Sequence, residues 1–205
     1  MAKKDILIVP GDGIGQEVTT VGKKVLDRIA QKYGHEFTYD EALIGHVAIE
    51  ATGNPLPDES LEKMRKSDAV LFGAVGHPKY DNDPSAKVRP EQGLLKLRKE
   101  LGLFANIRPI KAYPKLMGSS PIKKEVLQGT DFVVYRELNG GMYVGEKTTN
   151  KEGTYASDLC EYNEEEIVKI THLAFKAAQE RRKKVTLVDK ANVLETSRLW
   201  RRVVT

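Results

Sequence analysis

What most constrains this chain is an alternation of two hydrophobic periods. Short apolar runs of strand length occur at residues 5–9, 69–74, 131–135 and 185–188. Each reads as a buried strand. Between them lie windows with helical spacing. Residues 16–33 carry Val18, Val21, Val25, Leu26 and Ile29 on one stripe, and Gly34 stops the helix. Residues 91–101 form an amphipathic helix with Leu94, Leu95 and Leu97, and residues 193–204 start a further one. From Asn163 to about Arg182, Ile167, Ile170, Ala174 and Ala177 face inward, and Asn163 with Glu166 makes a capping box. Strands that alternate with helices predict an α/β fold with a substantially parallel sheet, whose ligands bind near the C-terminal strand ends.

Composition narrows the function class. The 205 residues carry 40% hydrophobic and 30% charged side chains, ordinary for a globular protein. A net charge of +4 suits an anionic small molecule better than nucleic acid, which calls for a dense basic stripe with aromatics. The Arg181-Arg182-Lys183-Lys184 run reads as a helix end whose cations complement the dipole. A single cysteine, Cys160, permits no internal disulfide and agrees with a reducing, cytoplasmic setting. The apolar runs are far below membrane-spanning length, so no membrane partner is expected.

Several stretches can carry chemistry. Residues 10–15, PGDGIG, join the first strand to the first helix, a geometry in which backbone amides can meet an anion. The pattern is not G-x-G-x-x-G, so it is not a Rossmann fingerprint, and a plain tight turn is an equal reading. Residues 37–39 can form a second strand, and Asp58 or Ser60 can cap a short helix. Residues 76–90 form a long polar loop. Leu94 and Arg98 stand at i and i+4 and share a helix face. That pairing suits a ligand with a carboxylate and a hydrocarbon branch, or an inward leucine stripe with Arg98 at its edge. Arg108 precedes Pro109 and is expected to be extended.

Residues 133–145, VVYRELNGGMYVG, read as a strand ending in Arg136, a two-glycine turn, and a second strand at Met142, Tyr143 and Val144. Arginine offers a planar donor fork that fits a carboxylate, and a tyrosine hydroxyl can relay a proton. Residues 146–162 are polar and read as a projecting arm or long hairpin, a candidate dimer contact. Lys190 and Asn192 follow the predicted strand 185–188.

Four motifs in order, GDGIGQEV at 11–18, RPEQGLLKLRKELGLFANIRP at 89–109, YRELNGGMYVGE at 135–146 and DKANVLE at 189–195, resemble the β-hydroxyacid oxidative decarboxylases, the isocitrate/isopropylmalate dehydrogenase family. The resemblance covers the chain and is closest to the isopropylmalate branch. It implies a two-domain α/β fold with mostly parallel sheets, not a Rossmann fold. The first domain portion would be residues 1–103, and residues 104–205 would begin a central domain that carries the arm. The implied activity is NAD-dependent oxidation and decarboxylation of 3-isopropylmalate to 4-methyl-2-oxopentanoate and CO₂, in leucine biosynthesis, with Mg²⁺ or Mn²⁺. Arg98, Arg108 and Arg136 would hold the substrate carboxylates. Tyr143 would be the acid and Lys190 the base, with Lys190 acting across a homodimer. Leu94 and Leu95 would wall the isopropyl branch. Isocitrate, homoisocitrate or tartrate are the alternatives, but a third carboxylate against an apolar wall would be left unpaired. Ile14, His77, Pro78, Glu91 and Asn192 match cofactor-side positions.

Two departures stand out. His77 replaces a glycine common in the family. The family's metal-binding aspartates and main adenosine segment fall beyond the equivalent of Thr205. The chain is therefore expected to be a truncated, N-terminal portion with no metal ligand set and with uncovered apolar surface, and so to be non-catalytic and poorly soluble by itself.

Overall fold

The first strand, β1 (Lys3–Gly11), is the centre of a parallel three-stranded sheet in the order β2 (Glu36–Glu41), β1, β3 (Ala69–Ala74). Its run Ile6, Leu7, Ile8 and Val9 is buried without alternation, as a strand covered on both faces requires. These statements come from a computed structural model that describes residues 1–81, 83 and 85–205. Asn82 and Pro84, assigned above to the 76–90 loop, lie outside the described residues.

The chain divides into two compact units, Met1–Gly102 and Leu103–Thr205. In the first, α1 (Gly15–Tyr33) makes the crossover from β1 to β2 and ends at Gly34 in the left-handed region, with φ 67°. A short α2 (His46–Thr52), α3 (Asp58–Lys66) and α4 (Pro90–Glu100) complete the unit. The core gathers Leu7, Val9, Ile44, Leu56, Leu61 and Leu97. Asp58 is the first residue of α3 rather than its cap, because Pro57 holds the N-cap position, and Ser60 is buried inside the helix.

The valine stripe of α1 does not face the sheet. Val18, Val21, Val25 and Ile29 are 40–59% exposed, whereas Gly15 and Thr19 are buried. Close approach explains this. A side chain at Gly15 would sit 2.0 Å from the Pro10 carbonyl oxygen, and one at Gly22 would sit 3.3 Å from a Leu71 methyl. The helix turns its small residues to the strands and its large apolar residues outward.

In the second unit, β4 (Ala105–Lys111) pairs antiparallel with β5 (Asp131–Glu137), with a short α5 (Lys124–Leu127) in the connection. A two-stranded hairpin, β6 (Lys147–Thr149) with β7 (Ala156–Asp158), lies within the 146–162 arm. The α6 helix (Glu164–Gln179) starts with the expected box. Asn163 Oδ1 accepts the Glu166 N–H at 3.0 Å, and Glu166 Oε2 accepts the Asn163 N–H at 2.9 Å. Ile167 and Ile170 are buried, and α7 (Glu195–Val204) follows.

Two predicted strands are absent. Met142, Tyr143 and Val144 lie in a turn wound about Gly141, whose carbonyl accepts the Gly145 N–H at 3.1 Å. The glycines serve an aromatic neighbour. A side chain at Gly140 or Gly141 would come within 2.6 Å of the Tyr162 ring or hydroxyl. Residues 185–188 join no ladder, and Val188 is 91% exposed. Apolar, β-branched content favours a strand only when a neighbouring strand supplies the hydrogen bonds.

Candidate functional site

The β4–β5 register builds the cationic part of the site. Asn106 lies opposite Arg136 and Arg108 opposite Val134. Directly paired residues share a face, as do residues two apart, so Arg108 and Arg136 project from the same face as diagonal neighbours. Arg108 Nε donates to Asn106 Oδ1, which steers its fork along that face. The Arg136 guanidinium carbon lies 4.9 Å from the centroid of the Tyr143 ring, a cation–π contact. Tyr143 is 62% exposed, so its hydroxyl is open to a ligand.

Glu137, overlooked in the motif reading, holds this arrangement. It is only 8% exposed, and its carboxylate accepts the N–H groups of Asn139 and Gly140. It thereby folds the turn that presents Tyr143 back toward Arg136. An acidic residue just before a double-glycine turn was the available signal. Behind the turn, Tyr162 packs edge-on against Trp200 at 5.4 Å. Burial, and then the Glu137 charge, push the Tyr162 pKa up, so its hydroxyl keeps its proton.

Lys190 is exposed and held through its backbone. Its N–H donates to Ser197 Oγ at 3.0 Å, and its carbonyl accepts the N–H groups of Val193 and Leu194. The preceding Asp189 takes a fork from Arg201, at 3.0 Å from Nε and 2.9 Å from Nη2. That hydrogen bond, with the one from the Ala191 N–H, holds the Asp189 carboxyl below the usual carboxylate range. Ser197 and Arg201 are thus positioning residues on α7. No local motif announced them, because the contact spans a loop. Asn192 is exposed beside them.

The remaining candidates belong to the first unit. Arg98 is half-buried on α4, Leu94 packs against the core, and Leu95 is 39% exposed. Ile14 is 59% exposed at the start of α1. Pro78 and Glu91 are exposed and His77 is half-buried.

Between the readings offered for the PGDGIG turn, the structure favours the tight turn. The Gly15 N–H donates to the Asp12 carbonyl and the Gln16 N–H to the Gly13 carbonyl, so these amides are occupied. Asp12 itself is 2% exposed. Its carboxylate accepts the N–H groups of His46 at 2.9 Å, Val47 at 3.1 Å and Gly76 at 2.9 Å, tying three segments together. Among the described residues, no group of three or more His, Cys, Asp or Glu side chains is arranged to hold a metal ion. No helix among them is long and apolar enough to cross a membrane.

The parallel α/β first unit is what the resemblance implied, whereas both ladders of the second unit, β4–β5 and β6–β7, are antiparallel where mostly parallel sheets were expected. The isocitrate/isopropylmalate dehydrogenase pattern matches residues 5–205, and the chain belongs to that family. It is 52% identical to the 3-isopropylmalate dehydrogenase of Aquifex aeolicus, covering 100% of this chain and 57% of that protein. It is 48% identical to the Bacteroides fragilis enzyme of the same name, covering 97% of this chain and 56% of that one. Among solved structures it resembles isocitrate dehydrogenase from Methylococcus capsulatus, with TM-score 0.80 and 28% identity, over 98% of this chain and 56% of that one. A β-decarboxylating dehydrogenase from Thermococcus kodakarensis matches with TM-score 0.70 and 31% identity, over 98% and 53% of the respective chains. The chain therefore spans about half the length of the curated relatives it matches.

Proposed function

We propose that this chain is the substrate- and proton-handling portion of a 3-isopropylmalate dehydrogenase, which oxidises and decarboxylates 3-isopropylmalate with NAD. The observation that carries the reading is the shared face of Arg108 and Arg136 with Tyr143 against Arg136. Two guanidiniums on one ladder face suit a malate-type dianion, because each fork can take a carboxylate bidentately. Arg98 would supply a third cation. Identity of about half the residues to enzymes named for 3-isopropylmalate supports this substrate over isocitrate. The exposed Leu95 and partly buried Leu94 offer hydrocarbon rather than charge to the substrate branch.

In this reading the arginines orient the substrate, Lys190 takes the proton of its hydroxyl, and Tyr143 returns a proton to the enol after CO₂ leaves. Lys190 would act in the partner's site of a homodimer, with the 146–162 hairpin as a contact. Ile14, His77, Pro78, Glu91 and Asn192 would border the nicotinamide dinucleotide, which supplies a hydride acceptor when bound. The described residues offer no donor set that fits the family's Mg²⁺ or Mn²⁺.

The test is a substrate panel of 3-isopropylmalate, isocitrate, homoisocitrate and tartrate with NAD and Mg²⁺, followed by NADH absorbance, alongside calorimetric binding of each acid. Turnover or tightest binding with 3-isopropylmalate supports the reading. Preference for a tricarboxylate overturns the substrate assignment, and no binding of any dicarboxylate overturns the site.

A further inference from the structure

His77 takes no part in the proposed proton transfers, where it would only border the cofactor. Its ring stacks on that of His46, with centroids 4.0 Å apart and planes 30° from parallel. The contact joins the 76–80 loop to α2 within the first unit. Two further interactions cross the same boundary. His46 Nδ1 lies 3.2 Å from the Tyr80 hydroxyl, and Lys79 Nζ donates to Glu50 Oε1 at 2.6 Å. The Gly76 N–H donates to Asp12, whose carboxylate also accepts the N–H groups of His46 and Val47 at the start of α2. Beyond the stack the loop is fixed independently, because the Arg89 guanidinium donates to the carbonyls of Tyr80 and Asp83.

The hydrogen bonds assign a tautomer to His77. Its Nδ1 accepts the Lys79 N–H at 3.2 Å, so the neutral ring has its hydrogen on Nε2. His46 lies 3.8 Å from the Glu50 carboxylate and beside Tyr80, whereas His77 adjoins Lys79. Glu50 is kept anionic by the Lys79 hydrogen bond and charge, and secondarily by the two histidines.

We propose that His77 is a positioning residue that pins the 76–80 loop to α2 by stacking on His46. If the function proposed above holds, the loop borders the cofactor, and the pin sets its pose there. The pin itself rests only on the first unit.

The test uses the 205-residue chain and follows hydrogen exchange of the Tyr80 amide, which donates to the His77 carbonyl at 3.0 Å. Protection in His77→Gly should fall about fivefold relative to the parent chain, the scale of one lost hydrogen bond. His77→Phe keeps an aromatic ring to stack on His46 and should hold protection. Unchanged protection in His77→Gly overturns the pin, and a loss in His77→Phe as large as that in His77→Gly overturns its assignment to the ring stack. In a turnover assay His77→Gly should raise the KM for the dinucleotide more than it lowers kcat. If exchange responds and KM does not, the pin stands and the cofactor-side reading fails.

Discussion

Asp12 carries more of the first unit than any other polar side chain described above. Its carboxylate, 2% exposed, receives three backbone N–H groups from two separate segments. Truncation would leave those donors buried and unpaired, and each such loss costs about 1–3 kcal/mol. Asp12→Ala should therefore destabilise the chain by roughly 3 kcal/mol, and Asp12→Asn by less, since an amide oxygen still accepts. Urea unfolding would check both, and a midpoint unchanged in Asp12→Ala would refute the clamp. At the end of α6, Lys183 is the only non-glycine residue with positive φ among those described, at 55°. Its N–H closes on the Ala178 carbonyl at 2.9 Å, beyond the C-cap Glu180, in a left-handed conformation that glycine adopts most readily. Lys183→Gly should raise stability by about 1 kcal/mol, because the left-handed conformation costs an L-residue that much. A lower unfolding midpoint in this variant would contradict the account.

At the scale of elements, legibility followed the range of the interaction. The α6 capping box, the Gly34 stop and the β1 and β3 runs were readable because each depends on residues a few positions apart. Residues 142–144 and 185–188 misled because a strand needs a partner that composition does not specify. The site divides in the same way. Arg108, Arg136 and Tyr143 could be named from motifs, but the shared face of the two arginines depends on the β4–β5 register. Ser197 and Arg201, which hold the Lys190 segment to α7, depended on a contact across a loop. That contact makes an element-level prediction. The folded Asp189 pKa is depressed, chiefly by its hydrogen bond with Arg201. The pair's stabilisation is thus present above the unfolded carboxylate pKa, near 3.9, and is lost as pH falls through the lower folded value. Thermal scans from about pH 6 down through that range should show a drop that Asp189→Asn has already lost at every pH. A parent and variant that differ equally at all pH values would leave the pair without a role in acid stability.

For the whole molecule, the uncovered apolar surface decides behaviour in solution. Ile14, Val18, Val21, Val25 and Ile29 are 40–59% exposed and fall at spacings of three and four, so they form one continuous stripe along α1. A scattered apolar residue is ordinary on a protein surface, but a contiguous stripe drives association. In the second unit, a cavity of about 780 Å³ lies among β5, α6, α7 and residues 184–189, lined largely by apolar groups such as Phe132, Val133, Phe175 and Leu187. It leaves the β5 side chains thinly covered, and the ladder there has only two strands. The two features separate experimentally because the stripe belongs to the first unit and the cavity to the second. Val21→Lys with Val25→Glu charges the stripe without touching a buried side chain. Sedimentation velocity should show the parent chain associating as concentration rises, and the double variant remaining monomeric. Binding of a dye that reports apolar surface should fall in the variant but persist in part, because the cavity is unchanged. If the variant associates as strongly as the parent, the α1 stripe is not the adhesive surface. Cavity-directed variants such as Val133→Thr would then be the next to separate the two.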